Sequence, residues 1–207
     1  QDYVVTVNPG VELTVLSNDA TVCSGIGVDI DYSTVTANGD ISLSAVYPAG
    51  VSGSFDYATN AGSVGASGKI TETLTSTLSA PATVTYTFTA SGNGCSDVIE
   101  SVDVVVNPIP QLTNLPNTVT ICSGAQLNFT PTSDVAGTVF TWTSAISANI
   151  TGNTSGDGAI TDVLTNTGDA IETVTYTVTA TGPLPEGCVN ATTQDYVVTV
   201  NPGVELT

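Results

Sequence analysis

The chain has 207 residues, nineteen carboxylates, one base (Lys69) and no histidine, for a formal net charge of −18. One cation cannot displace the counterions of a nucleic acid or clamp a phosphate, and without histidine there is no Ser-His or Cys-His nucleophile and no imidazole-bound zinc. No apolar run reaches the ~18 residues of a membrane span, and the 41 % apolar fraction is enough for a globular core.

The chain opens on QDYVVTVNPGVELT, residues 1–14, and the same fourteen residues return at 194–207, a period of 193. Verbatim recurrence at a fixed spacing is the mark of a tandem array, so the chain is expected to be one period cut from a longer repeat. Each period holds two related modules. Cys23-Ser24-Gly25 returns as Cys122-Ser123-Gly124, Gly94-Cys95 as Gly187-Cys188, and Val106-Asn107-Pro108 as Val200-Asn201-Pro202. The run TVTYTFTA at 83–90 returns as TVTYTVTA at 173–180. The spacing changes between these matches and holds within them, as expected of related β-domains that differ in their loops. The boundaries follow: 1–9 is the last strand of a preceding module, 10–108 is module one, 109–202 is module two, and 203–207 opens the next.

Within each module the apolar residues alternate with polar ones. Val84, Tyr86, Phe88 and Ala90 fall on one face of a strand and Thr83, Thr85, Thr87 and Thr89 on the other. The same alternation predicts strands at 28–33, 41–47, 70–77 and 102–106. In module two it predicts them at 127–132, 139–144, 160–167 and 196–200. Gly, Asn, Asp, Ser and Pro fill the gaps, and no segment has helical periodicity. The fold class is all-β: two tandem immunoglobulin-like β-sandwich modules. Trp142 takes the place of the Trp often buried on the third strand of such folds, with Leu43 in its place in module one.

The order Cys-Ser-Gly, Trp strand, Leu-Thr-Asn-Thr (Leu164 onward), Val-Thr-Tyr-Thr-Val-Thr (Val174 onward), Gly-Cys and Val-Thr-Val-Asn-Pro (Val198 onward) resembles the PKD-like immunoglobulin-fold repeats. Such repeats occur in very large secreted surface and adhesin proteins of gliding-type Gram-negative bacteria. The resemblance covers both modules and implies adhesins, filaments and enzyme-bearing stalks alike. Module one departs from it by lacking the Trp and by a longer middle at 47–69.

Cys23, Cys95, Cys122 and Cys188 in an acidic, Lys-poor β protein are expected to form disulfides in an oxidising compartment. Two patterns stay open. One bridge per module gives Cys23–Cys95 and Cys122–Cys188. The early and late turns lie at opposite ends of a seven-strand sandwich, however, which favours a staggered Cys23–Cys188 bridge, with Cys95 and Cys122 pairing to neighbouring repeats. Asp29 and Asp31 alternate onto one face, and Asp157 sits in a Gly-Asp-Gly turn. These oxygens offer a calcium site, or they are solvated turn residues with no cofactor at all. Tyr32, Tyr47 and Tyr57, with Phe55, are the aromatics available for a carbohydrate face.

The leading expectation is a non-catalytic structural segment of a secreted extracellular filament or adhesin stalk, its partners being adjacent copies of the same repeat. The alternatives are a module binding surface polysaccharide or another cell, and a subunit polymerising by strand donation through residues 1–8. Neither nucleic acid nor membrane insertion is expected.

Overall fold

The computed structural model describes residues 2–17, 19–36, 39–54, 62–63, 66–92 and 94–203. The chain divides into two compact units, Gln1–Pro108 and Ile109–Thr207. Each is an immunoglobulin-like β-sandwich with its own core.

Unit one contains β1 (Thr14–Ser17), β2 (Thr21–Cys23), β3 (Ile26–Ser33), β4 (Asp40–Val46), β5 (Val51–Ser52), β6 (Gly62–Ser63), β7 (Ser67–Ser76), β8 (Ala82–Ser91) and β9 (Val98–Asn107). One sheet has the order β1-β3-β7-β5 and the other β2-β9-β8-β4-β6. Unit two contains β10 (Asn117–Cys122), β11 (Ala125–Gln126), β12 (Val139–Ile146), β13 (Ile150–Thr151), β14 (Gly156–Asp157), β15 (Val163–Asn166), β16 (Glu172–Thr181) and β17 (Gln194–Asn201). Its sheets run β10-β17-β16-β12-β14 and β11-β15-β13.

The two-residue period makes these sheets two-faced. In β8, Val84, Tyr86, Phe88 and Ala90 are fully buried, and the intervening threonines face outward on a strand surface that suits β-branched residues. In β7, Ile70, Glu72 and Leu74 point inward while Thr71, Thr73 and Thr75 point out. Ile30, Ile70 and Leu74 of one sheet thus meet Val84, Tyr86 and Phe88 of the other. Unit two repeats the scheme with Ile160 and Leu164 against Val174, Tyr176 and Val178. Trp142 on β12 is 6 % exposed and meets Tyr176 edge to face at 5.5 Å. Leu43 stands opposite Phe88 in the ladder as Trp142 stands opposite Val178. The two therefore hold equivalent places, with a smaller side chain in unit one.

The strand expected at 127–132 is not continuous. β11 ends at Gln126, after which Leu127 donates to the Asp162 carbonyl at 2.8 Å. Phe129 then forms an isolated bridge with Ile160. Pro131 has no N–H with which to carry the ladder further.

Candidate functional site: the two ends of each module

The first residues that pair with the last strand do so in parallel. This sets the position of the early cysteine in each module. β2 runs alongside β9 with Cys23 opposite Asn107, and β10 alongside β17 with Cys122 opposite Asn201. Both cysteines therefore sit at the outgoing end of their module, beside the Asn-Pro pair that leaves it. The Ser-Gly that follows ties the two sheets together. Ser24 N–H donates to the Asn107 carbonyl at 2.9 Å, Gly25 N–H to the Leu74 carbonyl at 2.7 Å, and Ser76 N–H to Ser24 Oγ at 2.9 Å. In unit two the corresponding bonds are Ser123 to Asn201 at 3.1 Å, Gly124 to Leu164 at 2.8 Å, and Asn166 N–H to Ser123 Oγ at 3.0 Å. Gly25 and Gly124 hold φ of 86° and 84°, which other residues adopt only under strain. The repeated Cys-Ser-Gly is thus an end clasp. Ser123→Ala leaves the Asn166 N–H without its acceptor, and a loss of about 1–3 kcal/mol in urea unfolding is expected. An unchanged midpoint would show that the clasp contributes nothing.

The late cysteines lie at the incoming end, in the connections β8–β9 and β16–β17. Cys95 N–H donates to the Gly92 carbonyl at 3.1 Å, and its S–H donates to the Pro9 carbonyl at 3.5 Å. In unit two the Cys188 carbonyl accepts Gly182 N–H at 2.8 Å, and the nearby Asn190 Nδ2 donates to the Pro110 carbonyl at 2.9 Å. Each late connection rests on the proline-bearing segment that enters its module. Cys23 and Cys188 are in the disulfide state, whereas Cys95 and Cys122 carry thiols. Neither in-module pair, Cys23–Cys95 or Cys122–Cys188, is formed. The reason is topological: parallel pairing with the last strand places the early cysteine at one end of the sandwich, and the late connection lies at the other.

Each core also holds a tyrosine–carboxylate pair that sequence reading missed. Tyr86 and Tyr47 donate their hydroxyls to Glu72, which is 2 % exposed, the Tyr47 bonds being 3.0 Å to each oxygen. In unit two Tyr176 donates to Asp162 at 2.7 Å, and Thr154 N–H and Oγ1 each donate to the same carboxylate at 2.7 Å. Tyr86 and Tyr176 are matched by the TVTY repeat, and Glu72 and Asp162 lie at the same spacing before them. Burial first, and then the adjoining carboxylate, push both hydroxyls well above the ordinary tyrosine value of 10.0. A folded-state pKa above the unfolded one contributes stability that is complete below about pH 10 and is lost as pH rises beyond it. Alkaline unfolding is therefore expected, with tyrosinate absorbance from these two residues appearing only together with loss of β circular dichroism. Subtracting Tyr86→Phe and Tyr176→Phe spectra isolates them. Ionisation in the still-folded protein would contradict the geometry.

The remaining candidates are dispersed. Asp29 Oδ2 accepts Lys69 Nζ at 2.9 Å and Asp29 Oδ1 accepts Thr71 Oγ1 at 2.9 Å. The Lys69 and then the Thr71 hydrogen bond hold its carboxyl below the ordinary carboxylate range. Asp31 stands opposite Lys69 in the β3–β7 ladder, and Asp157 lies exposed on β14. Among the described residues, no group of three or more His, Cys, Asp or Glu is placed to hold a metal ion. Tyr32 is buried at 8 % exposure, its ring 5.5 Å from that of Phe88. Tyr47 is half-buried with its hydroxyl on Glu72. Tyr57 and Phe55 lie outside the described residues. The aromatic face is thus turned inward at Tyr32. No helix among the described residues is long and apolar enough to cross a membrane.

Residues 119–204 match the PKD-like domain. No curated protein matches by sequence. Among solved structures, the two-domain IG1+IG2 portion of DIP-gamma is similar at 10 % identity and a TM-score of 0.45, covering 95 % of this chain and 100 % of that one. An I-band fragment of titin is similar at 10 % identity and a TM-score of 0.46, covering 95 % of this chain and 66 % of that one. The Escherichia coli adhesin FdeC is similar at 15 % identity and a TM-score of 0.47, covering 91 % and 63 %.

Proposed function

We propose that the chain is a non-catalytic structural segment of a long extracellular filament or adhesin stalk, giving reach and stiffness at a cell surface. The observation that carries the reading is the placement of the cysteines. Every module has one on the turn clasped to its outgoing end and one in the connection resting on its incoming segment. That arrangement suits a junction between consecutive modules. In this reading the bridge is the staggered one, Cys23 with Cys188, which fits their shared disulfide state. Proline in each Asn-Pro linker fixes φ and prevents the last strand from continuing, which limits bending. The charge of −18 keeps neighbouring fibres apart, and a single Lys leaves trypsin-type proteases one site.

Small-angle scattering on chains of one, two and three consecutive copies tests this. The maximum dimension is expected to rise by a constant increment per copy in oxidising buffer. A dimension that grows as a flexible coil, or that saturates, would remove the stiff-array reading.

A further inference from the structure

We propose that Cys122 of one copy and Cys95 of the copy that follows it are the two halves of an inter-repeat disulfide. The inference rests on the filament reading above. Its ground is a single nine-residue sequence, QDYVVTVNP, found in two settings. At 194–202 it supplies β17, where Tyr196, Val198 and Val200 are 5 %, 0 % and 0 % exposed and Cys122 stands opposite Asn201. At 1–9 the matching Tyr3, Val5 and Val7 are 94 %, 69 % and 85 % exposed. There the Pro9 carbonyl accepts the Cys95 S–H at 3.5 Å.

The exposed side chains are those of a last strand, and the core that suits them is the one Tyr196, Val198 and Val200 fill. The occupant of this surface is therefore module two of a preceding copy. With residues 2–8 seated there as 195–201 are seated here, Asn8 stands opposite that module's Cys122. Paired strands lie about 4.8 Å apart. The next residue, Pro9, already touches Cys95. Cys122 then lies across from the Asn and Cys95 against the Pro of one Asn-Pro dipeptide, and the bridge requires their Cα atoms within about 7 Å of each other. Cys122 is exposed at the clasped turn, and Cys95 is half-buried. Cys23 and Cys188 occupy the equivalent outgoing turn and incoming connection and are in the disulfide state.

The oxidant is a disulfide, either a small molecule or a thiol oxidoreductase. The Cys122 thiolate attacks it, forming a mixed disulfide and releasing one thiol. The Cys95 thiolate then attacks the Cys122 sulfur and releases the second. The two electrons and the two protons of the protein thiols end on the reduced oxidant.

The test uses a chain of two consecutive copies, in which residues 194–207 of the first serve as 1–14 of the second, refolded with glutathione disulfide. It is digested without reduction by a protease cutting at acidic residues. The expected product is a peptide joining Cys122 of the first copy to Cys95 of the second, with both sulfurs protected from alkylation. Cys122→Ser is expected to abolish that peptide and expose Cys95 of the second copy to alkylation, with unchanged circular dichroism. Full alkylation of the first copy's Cys122 in the folded two-copy chain, or its linkage to any other cysteine, would overturn the proposal. Scattering on the same samples separates the two readings. An elongated particle with an alkylated Cys122 removes this bridge and leaves the filament, and a compact particle with the bridge formed does the reverse.

Discussion

Tyr86→Ala is expected to lower the stability of unit one by about 3–5 kcal/mol, the range for deleting a large buried ring. The ring is fully buried between the sheets and its hydroxyl reaches Glu72. The substitution thus opens a cavity and also takes a donor from a buried carboxylate. A domain with a net stability of about 5–15 kcal/mol loses much of it. The effect should stay in one unit, because each sandwich closes over its own core. Trp142 is the single tryptophan and lies in unit two. Urea unfolding followed by Trp142 fluorescence should therefore keep its midpoint, while circular dichroism acquires an earlier transition. Tyr86→Phe keeps the ring and removes only the hydroxyl, with an expected loss of about 1–3 kcal/mol. A fluorescence midpoint that falls with the circular dichroism would mean that the units unfold as one.

The second large effect concerns the proposed Cys23–Cys188 bridge. Cys23→Ser and Cys188→Ser are each expected to cost about 2–4 kcal/mol in oxidising buffer. The double variant should cost no more than either single one, since two residues acting through one bond are not additive. Reductant should lower the parent protein to the same level and leave the variants unchanged. Losses that add in the double variant would show that the two cysteines act separately, and the staggered pairing would fall.

Much of this was legible in the residues. The two-residue period located β3, β4, β7, β8, β9, β12, β16 and β17, and the internal matches marked the Cys-Ser-Gly turns before their role was known. The clasp itself was not legible, because it depends on β2 and β10 pairing in parallel with strands more than seventy residues later. Alternation also carries information on two further residues. Tyr32 shares its parity with Val28 and Ile30, the inward residues of β3, and so belongs to the core rather than to a ligand face. Glu72 shares its parity with Ile70 and Leu74. A lone carboxylate on an inward row is unusual enough to signal a partner, and the two tyrosine hydroxyls answer it. Pro131, which stops the ladder beyond the Phe129–Ile160 bridge, stands inside the strand expected at 127–132 and argues against its continuity.

The central claim is that this chain is a repeating structural unit, and electron microscopy of the native material, neither refolded nor trimmed, tests it most directly. The account predicts long, thin, evenly beaded fibres whose repeat is two modules. Compact particles, or short strings without a regular bead spacing, would contradict it.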